Sequence, residues 1–372
     1  MLWDKIQGQD GAVNYLRQSI ARDRVINAYL FQGPSGVGKS LTASVFARAL
    51  NCPVEPGRGC GSCPSCRQVE AGTHPDVHVV SPRSKSRMIL IDQIHELQRM
   101  VSLSGQRGNW KVFIIQDADR MNINAQNAFL KTLEEPPDKT ILILITHQAD
   151  LLLTTIRSRC NKVLFSPWPY ELMKQFLMAK VSVSDDESNV LYSISRGCPG
   201  RALQLLQEDL LGKRKRLLGP LLADEISSAE GVTAQVKTWL DSISSRSKEL
   251  SSELAKERAQ WNEVLKPAQR KKMEARDEAR VVAGEQAELE MIFELIFNWF
   301  RDLFIYRETG EDNYIINQDL TDEIAAASRS RSPVQLRHMM EWVEKSRQMA
   351  QKTSNRSTRQ LIFENMLIQL GY

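Results

Sequence analysis

The chain has 372 residues, 42% hydrophobic and 25% charged, with a formal net charge of +4. That length predicts two or three domains, and the balance is that of an ordinary globular protein, with nothing that demands disorder or a membrane. So small a net charge argues against a protein that coats nucleic acid, although a local basic stripe would not show in it.

The start, Met1-Leu2-Trp3-Asp4-Lys5, carries no secretory signal, so a reducing cytoplasm is the expected compartment. Ala28-Tyr29-Leu30-Phe31 reads as a strand and Leu41 to Leu50 as a helix. Between them, Gly33-Pro34-Ser35-Gly36-Val37-Gly38-Lys39-Ser40 matches the phosphate-binding pattern G-x-x-x-x-G-K-[ST] in full. In such a loop the glycines let backbone N–H groups close around a β-phosphate, Lys39 neutralises β/γ oxygens and Ser40 ligates Mg2+ at a helix N-terminus. ATP or ADP with Mg2+ is therefore the expected cofactor.

Cys52, Cys60, Cys63 and Cys66 follow directly, as C-x7-C-x2-C-x2-C in a Gly/Pro/Ser-rich insertion. Four thiolates so close together suit one tetrahedral Zn2+, and in a reducing compartment metal binding is favoured over disulfides. An iron–sulfur cluster is the rival, because the last three cysteines share ferredoxin-like spacing. With four protein ligands the site is closed, so a zinc here would be structural. Cys160 and Cys198 stand far apart in the sequence and read as buried or incidental thiols.

Trp110 to Ile115 is an apolar run rich in β-branched residues, the pattern of a buried parallel strand whose C-terminal end faces the phosphates. Hydrolysis needs one carboxylate for the Mg2+ shell and a second to orient or deprotonate water. Here Gln116-Asp117-Ala118-Asp119 supplies only Asp117 at a plausible place. As the metal-side acid Asp117 is followed by an alanine, and as the water-side acid it is preceded by an uncharged glutamine. Asp119 is expected to lie past the strand and to cap the next turn.

Further along come Asn127-Ala128-Phe129-Leu130-Lys131-Thr132-Leu133-Glu134-Glu135-Pro136-Pro137, a buried strand over Thr140 to Thr146, and Ile156-Arg157-Ser158-Arg159-Cys160. With Ile6-Gln7-Gly8-Gln9 near the start and His74-Pro75-Asp76 after the cysteines, this order of motifs resembles the AAA+ subunits of the bacterial sliding-clamp loader over about the first 210 residues. Within that family the broken acidic pair resembles a non-motor subunit. Two further departures agree with it. The family register puts His147 where motors carry Thr or Asn at the end of the strand, and puts Gly200 where motors carry a lid arginine, with Arg201 one step later. One step is about 100° around a helix.

The resemblance implies an α/β P-loop AAA+ core, a parallel sheet flanked by helices, over 1–166 with a structural zinc module at 52–66. It further implies a helical lid over 167–210 and an all-α C-terminal collar over 211–372. It implies that Arg159 reaches a neighbouring subunit's ATP as a trans arginine finger. The implied partners are gamma/tau-type motor subunits, a delta subunit, the sliding clamp and, through the complex, primer-template DNA. An active gamma/tau-like ATPase using Asp117, and a nucleotide-sensing adaptor outside replication, are the other functions weighed.

Pro167-Trp168-Pro169 punctuates the chain after the last core strand, and Tyr170 to Gln207 reads as helical. From Leu211 helical periodicity dominates. Lys248 to Ala283 is dense in Lys, Arg and Glu and reads as a solvated, partly helical extension interrupted at Pro267. Met291 to Phe300 is too short to span a bilayer and reads as a core helix, with Pro333 to Leu370 packing against it.

Overall fold

The computed structural model describes residues 2–82, 88–102, 110–181, 183–207, 210–222, 226, 228–259 and 267–372. The chain forms two compact units, one of residues 1–176 and 195–203, the other of 177–194 and 204–372. No helix among the described residues is long and apolar enough to cross a membrane.

The first unit is built on five parallel strands, β1 (Ala28–Gln32), β2 (Val77–Val80), β3 (Lys111–Ile115), β4 (Thr140–Thr146) and β5 (Asn161–Leu164), in the order β2-β3-β4-β1-β5. Its helices are α1 (Asp10–Ala21), α2 (Lys39–Asn51), α3 (Pro64–Glu70), α4 (Ile91–Ser102), α5 (Ile123–Glu134) and α6 (Thr154–Arg159). Successive side chains on a strand point to opposite faces, and here that alternation divides the core in two. Tyr29, Phe31, Val112, Ile114, Ile141 and Ile143 join one apolar cluster with residues of α1 and α2. Leu30, Phe113, Ile115, Leu142 and Leu144 join another with residues of α4 and α5. Covered on both faces, β3 and β4 are buried at every position, which is why they read as unbroken apolar runs.

β1 lies between β4 and β5, so chain direction through the sheet reverses beside it. The crevice beyond the C-terminal ends of such strands is where open α/β sheets take ligands. The Ile6-Gln7-Gly8-Gln9 segment braces this end. The Gln9 amide donates to the Ser166 carbonyl at 2.7 Å and accepts from the Ser166 N–H at 3.1 Å, which ties the start of α1 to the residue after Phe165.

Three helices follow, α7 (Tyr170–Lys180), α8 (Asp185–Ser195) and α9 (Pro199–Gln207), then α10 (Leu210–Leu222), α11 (Ala229–Ala259), α12 (Pro267–Thr309), α13 (Thr321–Arg329), α14 (Pro333–Gln351) and α15 (Arg356–Gln369). The segment from Lys248 to Ala283 contributes to α11 and α12, with residues 260–266 outside the described ones and Pro267 opening α12. Most of its described side chains are exposed, while Leu254, Asp277 and Ala279 are buried. Met291 to Phe300 forms the buried middle of α12. There Phe293 stacks on Phe363 of α15 at 5.0 Å between centroids, and Trp239 of α11 meets the same ring at 5.2 Å. α14 begins with a capping box at Ser332 and Gln335 and is tied to α12 by Arg347 and Glu290 at 2.7 Å.

Because Phe363 is fully buried between two aromatic neighbours, Phe363→Ala should lower the unfolding free energy by about 3–5 kcal/mol. Chemical denaturation followed by far-UV circular dichroism checks this. Val334→Ala, at a site 77% exposed, should stay within about 0.5 kcal/mol.

Candidate nucleotide site and cysteine cluster

The loop after β1 turns on left-handed glycines, Gly36 at φ 79° and Gly38 at φ 109°, and Gly38 sits at the N-cap of α2. A residue with a Cβ adopts those angles only with strain. Lys39, only 6% exposed, donates to the Gly33 and Pro34 carbonyls at 2.5 and 2.6 Å. Burial lowers its pKa, opposed by the nearby charges of Asp117, Cys198 and Asp119. The loop opens into a cavity of about 240 Å³, lined also by Asp117, Thr146, His147 and Gly200. Its free backbone N–H groups, helix start and cation fit a nucleotide phosphate.

Asp117 is left-handed at φ 49°, a conformation Asp tolerates better than most residues, and it brings its side chain to the cavity beside Lys39 and Ser40. Ala118 follows, fully buried. Asp119 does not cap the next turn, as its position in the sequence suggests; Asn122 caps α5. Instead its buried carboxylate accepts from the Thr146 hydroxyl at 2.6 Å and from the His147 N–H at 3.3 Å, and it faces His147 Nδ1 at 3.3 Å. The strand order makes this pairing, since β3 and β4 are neighbours and their ends meet. Asp119 is thus a structural tie between the two strand ends. Thr146, which the sequence marks only as the last residue of the strand, supplies the hydroxyl that donates to it.

Gly200, in the first turn of α9, lies directly on the phosphate loop. Its N–H donates to the Gly36 carbonyl at 2.8 Å, and a Cβ at residue 200 would lie 2.9 Å from that oxygen and 3.2 Å from the Gly36 Cα. No side chain fits between the two backbones.

Arg159 ends α6. Its guanidinium pairs with Glu134 at 2.7 Å, donates to the Thr155 carbonyl at 3.1 Å, and is 38% exposed. Arg157 pairs instead with Asp150 at 2.8 Å.

The sulfurs of Cys52, Cys60, Cys63 and Cys66 all lie within 4.8 Å of one another. Cys52 and Cys63 are 3.9 Å apart, close to the ~3.8 Å that four Zn–S bonds of about 2.3 Å impose in a tetrahedron. Backbone N–H groups already point at them: Glu55 and Cys60 at the Cys52 sulfur, both 3.3 Å, and Cys63 and Cys66 at their neighbours, both 3.4 Å. Hydrogen bonds of this kind from the chain around Ser62 and Cys63 bring the Cys60 thiol down to about 6, while burial pushes the Cys66 thiol up to about 12. Four such sulfurs can all ionise only with a cation between them, so the donor set fits Zn2+. Below it, His74 binds Ser65 through Nε2 at 3.2 Å and accepts the Asp76 N–H at Nδ1, which links the cluster to β2. Cys160 and Cys198 are buried and apart from it, and burial raises the pKa of both.

The sequence model of the family described as "DNA polymerase III, delta subunit" matches residues 8–169, and that described as "DNA polymerase III, delta subunit, C terminal" matches 252–371. The DNA polymerase III subunit delta' of Pseudomonas aeruginosa is 29% identical over 351 residues, 92% of this chain and 91% of its own length. That of Bacillus subtilis is 42% identical over 159 residues, 43% of this chain and 48% of its own length. The Bacillus subtilis subunit tau is 26% identical over 95% of this chain and 59% of its own length.

The chain belongs to the delta-prime-like subunits of the DNA polymerase III clamp loader.

The five-stranded parallel sheet, phosphate loop and docked α9 are accordingly its AAA+ core. Gly200 has no side chain, and its Cα lies so near the phosphate loop that an added Cβ would meet the Gly36 backbone. Gly200→Ala should pry α9 from the loop; overpacking of about 1 kcal/mol is roughly fivefold in affinity, and titration calorimetry with ATP and Mg2+ should read a loss of that size. Replacing Cys63 and Cys66 together by Ser should release bound zinc, measured by elemental analysis, and lower the melting temperature. Full metal content in that double variant would contradict the four-thiolate site.

Proposed function

We propose that this delta-prime-like subunit binds ATP or ADP with Mg2+ in its own phosphate loop, hydrolyses it poorly, and presents Arg159 to the ATP site of a neighbouring gamma/tau-type motor subunit. In this reading it sits with a delta subunit in a cytoplasmic hetero-oligomer at the replisome and supports loading of the sliding clamp onto primed DNA. The observation that carries it is the count of acids at the cavity. Asp117 reaches it, the following residue is the buried Ala118, and Asp119 is committed to Thr146 and His147. One carboxylate can serve the metal or the water, but not both.

Arg159 has the properties of a group used elsewhere. It stands at a helix end, more than a third exposed, held by a half-exposed Glu134 rather than by a buried partner. Such surface pairs contribute about 0.2–1 kcal/mol, so a phosphate can draw the guanidinium away. An arginine finger contributes about 10³ to 10⁵ in rate at the site it enters.

One observation favours the alternative of an active gamma/tau-like ATPase. His147 lines the cavity with Nδ1 turned to Asp119, which leaves Nε2 as a base. That reading requires turnover by the isolated chain that disappears in His147→Ala.

Arg159→Ala should leave the fold and nucleotide binding of this chain unchanged and lower ATP hydrolysis by the complex reconstituted with gamma/tau-type and delta subunits, by the share of the one site it serves. Complex turnover equal to wild type, with assembly confirmed by gel filtration, would remove the finger from this account.

A further inference from the structure

A further cavity in the first unit lies apart from the nucleotide site. It is a pocket of about 660 Å³ between the exposed face of α1 and the loop that the cysteine cluster closes. Asn14, Arg17 and Gln18 line it from α1, and Pro56, Gly57 and Arg58 from the loop. Arg17 and Arg58 are both exposed, and neither side chain makes an ion pair or hydrogen bond among the described residues. Arg22 and Arg24 are exposed just past the end of α1, with the exposed Asp23 between them.

We propose that this pocket binds a nucleic-acid single strand, with Arg17 and Arg58 on its phosphates and Asn14 and Gln18 on a base edge. Two guanidinium groups that line one pocket from separate elements, unpaired among the described residues, suit phosphate oxygens. Asn14 and Gln18 are one helical turn apart and so project side by side, and their amides offer the paired donor and acceptor that a base edge accepts. Ile20 and Pro56 supply an apolar wall for a sugar or base. The volume falls within the ~300–1,000 Å³ of small-ligand sites, which admits an unstacked nucleotide but not a duplex, whose bases are turned inward.

The pocket also gives the cysteine cluster a task. The loop that carries Arg58 is suspended from the thiols themselves, with Glu55 and Cys60 donating to the Cys52 sulfur. Gly57 fixes its middle. Its N–H donates to the Ala49 carbonyl at 2.9 Å, its own carbonyl accepts from the Trp3 indole at 3.4 Å, and at φ 78° a Cβ would lie 3.1 Å from the Ile20 side chain. A metal held by Cys52, Cys60, Cys63 and Cys66 therefore sets one wall of the pocket, and the site depends on it. Neither the phosphate loop nor Arg159 takes part, so this inference stands or falls apart from the clamp-loader reading.

The test is fluorescence anisotropy of a labelled mixed-sequence 12-mer single strand titrated with the full-length chain at several salt concentrations. Arg17→Ala/Arg58→Ala should bind at least about tenfold more weakly, with a salt slope smaller by about 1.4, as two lost phosphate contacts on a single strand require. Zinc-stripped protein should show a comparable loss, while Lys39→Ala should bind as wild type. The proposal is overturned by wild-type chain that does not bind the strand. It is equally overturned by a double variant that binds as tightly as wild type with zinc content and circular dichroism unchanged. Displacement of the strand by polyglutamate as effectively as by unlabelled strand would assign the pocket to an acidic peptide instead. Undiminished binding after zinc removal would contradict the dependence on the cluster.

Discussion

Backbone meets backbone where the Gly200 N–H donates to the Gly36 carbonyl at 2.8 Å, and the nucleotide site is organised around that contact. It needs a glycine on each side. At Gly36 the left-handed turn lets the loop curl, and a Cβ there would strike the Arg201 N–H at 2.7 Å; at Gly200 a Cβ would strike the loop in return. The same close approach leaves no room for a side chain at residue 200. Trp168 supports the arrangement from behind, its N–H donating to the Gly197 carbonyl at 2.7 Å just before α9 begins.

The other half of the site follows from strand order. With β3 beside β4, the acids after β3 and the polar residues ending β4 share one corner, and Asp119 is consumed in holding Thr146 and His147 there. What remains for a phosphate anhydride is a lysine, a serine and one carboxylate. Such a set can grip a nucleotide, and it lacks the second acid that polarises water. The Arg159–Glu134 pair stands apart from this set, at the exposed end of α6.

Much of this was legible in the residues. The phosphate loop declares itself because glycine and lysine spacing is dictated by a phosphate, and β4 because burial on both faces leaves no polar position to break the run. The four cysteines are legible because a tetrahedral metal site calls for four thiolates in close spacing. Other features were not. β2 and β5 are four-residue edge strands, each with exposed positions, too short for a period to register. The role of Asp119 depends on which strands are neighbours, and that of Gly200 on a contact 164 residues away in sequence. The pocket between α1 and the cysteine loop leaves no pattern at all, because Arg17 and Arg58 are brought together only by the fold of the insertion.

The central claim is that this chain holds a nucleotide without consuming it. The most direct test is to load the purified chain with ATP and Mg2+, remove free nucleotide, and follow the chemical identity of what stays bound by ion-exchange chromatography. The account predicts bound ATP that remains ATP over many turnovers of a motor subunit, and no bound nucleotide in Lys39→Ala. Conversion to ADP by the isolated chain at a motor's rate, abolished by Lys39→Ala, would show that one carboxylate at this cavity is enough and would contradict the claim.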